Sequence, residues 1–185
     1  MAASTRIAAV RASRRRSAPI DRSFLVVVDR SRASRRAAIH LARLVGGRPG
    51  YRLSLLYLIP PIPTELRETR GDELPADEER LDARLKSAQR QWVADARRAA
   101  ARTLADMESV VRESLEPETV VERICSEPVD ERGAAAVVLA SARAHHCGTI
   151  IVARKAMPWC RRLFERDLAD DLVRSAHGPT LLVVE

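Results

Sequence analysis

The stretch FLVVVD, residues 24–29, decides the fold class of this 185-residue chain. Its apolar residues are mostly β-branched and show no polar alternation, which is the pattern of a strand buried on both faces of a parallel sheet. After Asp29 the pattern becomes helical, with Ser31 as the predicted N-cap and Gly46-Gly47 as the stop. This strand–helix step predicts the first unit of an α/β fold.

The same step repeats along the chain. Further strands are predicted at YRLSLLYLI (51–59), ETVVERICS (118–126), TIIVA (149–153) and TLLVVE (180–185). Helical patterns separate them, from Ala76 to Leu115, over 130–146 with Gly148 as the cap, and over 167–177. The order predicts a doubly wound, Rossmann-like five-stranded parallel sheet with helices on both faces.

The long helical pattern carries an apolar stripe. Its members recur every three or four positions and are Leu81, Leu85, Ala88, Trp92, Ala96, Ala100, Leu104, Met107 and Val111. We predict that Trp92 packs in the core with this stripe, and the pattern leaves open whether the long helix packs on its own sheet or on another subunit. A place in a ligand pocket is the alternative for Trp92.

Charge and composition narrow the class of protein. The net charge is +7, almost all basic residues are arginine, and aromatic residues make up only 3%. Single-strand nucleic-acid binders stack bases on aromatic side chains, so nucleic acid is not the expected partner. Residues 1–22 are arginine-rich and predict a disordered basic tail, with an organellar transit peptide as the alternative. We therefore predict one domain over 23–185.

No segment predicts a membrane or secretory destination. No apolar run approaches the roughly 20 residues of a membrane helix, and the N-terminus has no apolar signal core. The predicted compartment is the cytoplasm, where Cys125, Cys147 and Cys160 would be reduced.

Neither a metal site nor a catalytic site is predicted. His145-His146-Cys147 is the one cluster that suggests metal, but no second ligand pair lies near it in sequence. The chain also lacks the GxSxG, GxxxxGK[ST] and HExxH motifs. We therefore predict that the protein is not an enzyme.

Four segments together resemble the universal stress protein family. They are FLVVVDRSRASRRA (24–37), LSLLYLIPP (53–61), GTIIVARK (148–155) and HGPTLLVVE (177–185), in the family's order and spacing. The resemblance covers nearly all of 23–185 and implies the adenine nucleotide alpha hydrolase-like form of the fold. It also implies a homodimer through the last strand, and TLLVVE fits because it is apolar on both faces.

ATP-binding members of that family carry a G-x2-G-x9-G-S/T loop after the fourth strand. In this chain the four positions are Ala153, Ala156, Arg166 and Asp167, so each motif residue is replaced. The resemblance places the adenine contacts at Asp29 and Leu58. An added Cβ and an added carboxylate both oppose a phosphate. We therefore expect no cofactor, with ATP as the only candidate.

The same loop is nevertheless rich in basic side chains: Arg154, Lys155, Arg161, Arg162 and Arg166. Arginine binds phosphate well, so a nucleotide or anion site built from side chains is the alternative function. The competing interpretation is that these residues pair with Glu165, Asp170 and Asp171. The leading prediction is a stress-response protein that acts through an unknown protein partner rather than through ATP.

Overall fold

A computed structural model of the chain describes residues 22–67, 75–130, 132–154 and 168–184. The strands are β1 Ser23–Val28, β2 Arg52–Ile59, β3 Val120–Pro128, β4 Thr149–Ala153 and β5 Thr180–Val184. The α-helices are α1 Arg32–Val45, α2 Pro75–Arg112, α3 Gly133–Ala144 and α4 Leu168–Ser175, and a short 3-10 helix spans Thr64–Leu66. Apart from Arg22, the predicted basic tail lies outside the described residues.

The strands form one parallel sheet in the order β3-β2-β1-β4-β5. Helices α1 and α2 contribute to the hydrophobic core on one face, which we call the first core. Helices α3 and α4 contribute to the second core on the other face. The connections therefore reverse direction between β1 and β4, and the predicted doubly wound fold is confirmed.

Helix α1 begins and ends where its sequence predicts. The Ser31 side chain accepts a hydrogen bond from the Ser34 amide at 3.1 Å, which satisfies one of the free donors of the first turn. At the other end Gly46 caps the helix, and an added Cβ there would overlap the carbonyl oxygen of Ser114. Glycine at position 46 thus lets the ends of α1 and α2 approach closely.

Only the second half of the α2 stripe lies in the core. Its residues from Ala100 onwards, namely Ala100, Leu104, Met107 and Val111, are buried. Leu81 is 39% exposed, and Trp92 is only half-buried. A helix of 38 residues is about 57 Å long, whereas the longest strand, with nine residues, is about 30 Å long. Trp92 is thus outside the buried core that was predicted for it, because α2 extends past the sheet.

Helix α3 is shorter than its sequence pattern predicts. It starts at Gly133, where φ is +84°, and its C-cap is His145 rather than Gly148. His146 then adopts the left-handed conformation with φ of +52°. The histidine supplies the backbone turn that the prediction assigned to Gly148. In the described part of the chain, none of the helices combines the length and apolarity needed to cross a bilayer.

Candidate functional site

The reversal point of the sheet brings Asp29 and Arg154, two of the predicted site residues that the structure describes, to one edge. In a doubly wound sheet, ligands bind beyond the carboxyl ends of the strands that flank this point. Here those strands are β1 and β4, and their register pairs Val26 with Ile151. Continued along both strands, this register brings Asp29 and Arg154 to the same level of the carboxyl edge. We call this opening the β4 crevice.

Asp29 shapes the turn from β1 into α1. Its carboxylate accepts a hydrogen bond from the Ser31 amide at 2.8 Å, and its own amide donates to the Ser34 hydroxyl at 2.9 Å. Ser34 is buried, so these contacts fix the turn from inside. Whatever else Asp29 binds, its side chain has a structural role at the entry to α1.

Leu58 and Ala153 lie on opposite faces of the sheet. Leu58 packs against the second core, whereas Ala153 packs against the first core. Ala153 is also the last residue of β4 and pairs with Val184 of β5. The position where the resemblance expects a flexible glycine is therefore part of a regular strand.

The backbone after Ala153 is already hydrogen bonded. The Arg154 amide donates to the Val184 carbonyl oxygen at 2.8 Å, which extends the β4–β5 ladder. A phosphate loop needs amides that point at the ligand instead. At this position the amide donor is engaged within the sheet.

The Arg154 side chain pairs with the first turn of α4. Its guanidinium lies 2.8 Å from the Asp170 carboxylate, and the two side chains are 32% and 55% exposed. This contact agrees with the interpretation that basic loop residues pair with neighbouring carboxylates. The other predicted site residues, Ala156, Arg166 and Asp167, lie outside the described residues, as do Lys155, Arg161 and Arg162.

A second opening lies on the other side of the β1–α1 turn. It is a cleft of about 410 Å³ between α1 and α2, and we call it the α1–α2 cleft. Arginines from both helices line it, together with the buried Thr103. Sequence reasoning missed this cleft. The sequence does contain one signal for it: Thr103 is a polar residue on the side of α2 whose other buried residues are apolar.

The His145-His146-Cys147 cluster lies at the amino end of the sheet. The His145 ring lies 3.2 Å from Glu122, while the buried Cys147 thiol lies 3.8 Å from the Ser54 hydroxyl. No three His, Cys, Asp or Glu side chains among the described residues are grouped as metal ligands. This cluster therefore connects β2, β3 and the end of α3 by hydrogen bonds.

Cys125 is the exposed cysteine among the described residues. Partial burial of its sulfur raises the pKa of the thiol, and the nearby Arg97 only partly opposes this effect. A raised pKa lowers the thiolate fraction at neutral pH. The raised pKa therefore disfavours a nucleophilic role for Cys125, and Cys160 lies outside the described residues.

Comparison with known proteins gives a consistent family assignment. The profile of the Universal stress protein family matches residues 22–184. A comparison with the curated proteins finds no sequence match.

Several solved structures share the fold at low sequence identity. A universal stress protein from Archaeoglobus fulgidus is 15% identical with a TM-score of 0.55, covering 88% of this chain and 93% of that one. A universal stress protein in complex with cAMP is 10% identical with a TM-score of 0.53, covering 88% and 94%. The Archaeoglobus fulgidus protein in complex with dAMP is 14% identical with a TM-score of 0.52, covering 88% and 97%.

Proposed function

This chain belongs to the universal stress protein family, and on that premise we propose that it is a cytoplasmic homodimer that does not bind ATP through the family's loop. It acts through protein–protein contacts, without a catalytic step of its own. The observation that carries the proposal is the replacement of all four loop residues at Ala153, Ala156, Arg166 and Asp167.

The described contacts give this replacement a physical consequence. Ala153 continues the β4 strand, and the Arg154 amide donates to Val184 rather than to a ligand. The first turn of α4 also carries Asp170 and Asp171. Carboxylates at a helix N-terminus interact favourably with the helix dipole, so they compete with a phosphate for the same position. Both the backbone and the charge at this edge oppose the binding of a triphosphate.

The test is a titration of the full chain with ATP and Mg²⁺, followed by thermal unfolding. We expect no stabilisation at millimolar ATP, because a ligand stabilises a fold only when it binds the folded state. A rise in Tm that grows with ATP concentration would contradict the proposal. The neutral nucleoside adenosine serves as a control for binding that does not involve phosphate.

A second candidate function is nucleotide or anion binding through the arginine-rich loop. It is favoured by the solved structures of the same fold that hold cAMP and dAMP. The same titration, repeated with cAMP and dAMP, decides between the two candidates. Stabilisation by any of the three nucleotides supports this second function.

The proposed homodimer rests on the position of β5. This strand lies at one edge of the sheet, and its residues Leu181 to Val184 remain only partly buried although both faces pack on the cores. The Thr180 amide and the Val184 carbonyl oxygen both face β4. Because neighbouring residues of a strand alternate, the amides of Leu181 and Val183 point away from β4. These two amides are available to a second copy.

Proline substitutions test the edge directly. Val183→Pro removes an outward amide and should give a folded monomer. Leu182→Pro, the matched control, removes an amide of the β4–β5 ladder and should lower the free energy of unfolding more than Val183→Pro does. Light scattering gives the oligomeric state, and circular dichroism checks the fold. A wild-type monomer at high micromolar concentration, or a dimeric Val183→Pro protein, would contradict the proposed interface.

A further inference from the structure

The α1–α2 cleft has the dimensions of a small-molecule site. Its volume of about 410 Å³ falls within the roughly 300–1,000 Å³ of typical ligand pockets. The wall from the β1–α1 turn and α1 carries Arg30, Arg32 and Arg35, and the wall from α2 carries Arg102. Basic side chains therefore face the cleft from two elements that are far apart in sequence.

The charges of this cleft do not cancel. Four arginines line it against two carboxylates, Asp29 and Asp106. The Asp29 carboxylate already accepts a hydrogen bond from the Ser31 amide. Among the described residues, Arg32, Arg35 and Arg102 form no ion pair. Four charges minus two leave an excess of two positive charges, which matches a dianion.

Arg30 is held in place by α2. Its Nε donates to the Thr103 hydroxyl at 3.3 Å, and Thr103 is only 7% exposed. The Thr103 hydroxyl in turn donates to the Ala99 carbonyl oxygen at 3.1 Å. A guanidinium has five N–H donors, and the contact with Thr103 uses only the Nε donor. Arg30 is therefore fixed in position while its terminal nitrogens remain available to a ligand.

The rest of the lining distinguishes an organic ligand from a simple ion. Met107 and Val110 are both almost fully buried and contribute apolar surface to the cleft. The first turn of α1 contains no acidic residue, so its positive dipole end adds to the arginine charge. Arginine side chains therefore line one part of the cleft, and the apolar side chains of Met107 and Val110 line another.

We propose that the α1–α2 cleft is a binding site for a small phosphate monoester with an apolar or aromatic body. The arginines bind the phosphate, and Met107 and Val110 contact the body. This site shares Asp29 with the β4 crevice, but its arginines and apolar residues lie on the β1–α1 turn, α1 and α2 rather than on the loop after β4. The proposal therefore does not depend on whether the β4 crevice binds a nucleotide.

The test is calorimetric titration of the full chain with phenyl phosphate in HEPES at low ionic strength and pH 7.5. The phosphate is then mostly a dianion, since its second pKa is about 6. The probe contains no adenine, and any stabilisation by a nucleotide that is lost when the cleft arginines Arg35 and Arg102 are both replaced by Gln belongs to this cleft rather than to the β4 crevice. We expect binding, and we expect inorganic phosphate to bind more weakly because it cannot contact Met107 and Val110.

A charge-matched pair of variants identifies the site. Arg35→Gln combined with Arg102→Gln removes one cleft arginine from each helix and should weaken phenyl phosphate binding by about tenfold or more. Arg36→Gln combined with Arg90→Gln removes two exposed arginines from the same helices, outside the cleft, and should change affinity by less than about twofold.

Three results would overturn the proposal. The first is no binding at millimolar phenyl phosphate. The second is equal weakening by both double variants, which would show attraction by the overall charge alone. The third is equal affinity for inorganic phosphate and phenyl phosphate, which would show that the cleft does not bind the organic part of the ligand. Circular dichroism of all variants confirms that the substitutions leave the fold intact.

Discussion

The β4 crevice and the α1–α2 cleft both lie beside the turn that follows β1, and both contain arginine. They differ in what those arginines do. Arg154 in the β4 crevice donates its amide to Val184 and its guanidinium to Asp170. In the α1–α2 cleft, Arg32, Arg35 and Arg102 form no ion pair with any described residue. On this comparison we expect intramolecular partners, rather than the number of positive charges, to decide where an anion binds.

The largest expected effect concerns the turn that borders both openings. Ser34→Ala removes the hydroxyl that accepts from the Asp29 amide at 2.9 Å, in a position that is 2% exposed. The part-buried Asp29 amide loses this acceptor, so we expect the free energy of unfolding to fall by about 1–3 kcal/mol. Urea denaturation followed by circular dichroism measures this change.

Ser87→Ala is the matched control, because Ser87 is exposed on α2. Alanine favours a helix slightly, so the control should change stability by less than about 0.5 kcal/mol. If Ser34→Ala lowers the free energy of unfolding no more than Ser87→Ala does, the hydrogen bond from the Asp29 amide does not stabilise the turn between the two openings.

A smaller effect is expected inside the α1–α2 cleft. Thr103→Val keeps the side-chain shape but removes the acceptor of the Arg30 Nε. Arg30 should then become mobile, and the affinity for phenyl phosphate should fall about three- to tenfold, equivalent to roughly 0.7–1.4 kcal/mol.

Thr103→Ser provides the internal comparison, since it keeps the hydroxyl and loses one methyl group. It should preserve the affinity measured for the wild-type chain. Equal affinities of the valine and serine variants would show that Thr103 does not position Arg30 for binding.

The smallest effect is expected at the β4 crevice. Asp170→Asn removes the carboxylate that pairs with Arg154 at 2.8 Å. Both side chains are partly exposed, so the free energy of unfolding should fall by at most about 1 kcal/mol. ATP should still give no thermal stabilisation, because the Arg154 amide remains bonded to Val184.

Asp82→Asn is the control for this change, because it breaks an exposed ion pair with Lys86 within α2 that does not involve Arg154. ATP-dependent stabilisation of Asp170→Asn, without the same effect in the control, would contradict the expectation. It would show that the ion pair alone keeps the β4 crevice from binding nucleotide.

Local sequence predicted the elements that depend on local interactions. The apolar run 24–28 became part of β1, and Ser31 became the N-cap of α1 because its side chain reaches the Ser34 amide. The end of α3 was misassigned because His146 adopts a left-handed conformation that the sequence favours at Gly148. The burial of Trp92 was overestimated because periodicity defines a helix face but not how far the sheet extends beneath it.

The sequence by itself determined the parallel α/β fold, the order of its elements and the replacement of the four loop residues at Ala153, Ala156, Arg166 and Asp167. These follow from hydrophobic periodicity and from motif spacing, which are properties of neighbouring residues. Only the tertiary structure decided that Arg154 is paired and that Arg30 meets Thr103, 73 positions away in sequence. Whether a charge is neutralised depends on which distant side chain packs beside it, and no local pattern records that partner.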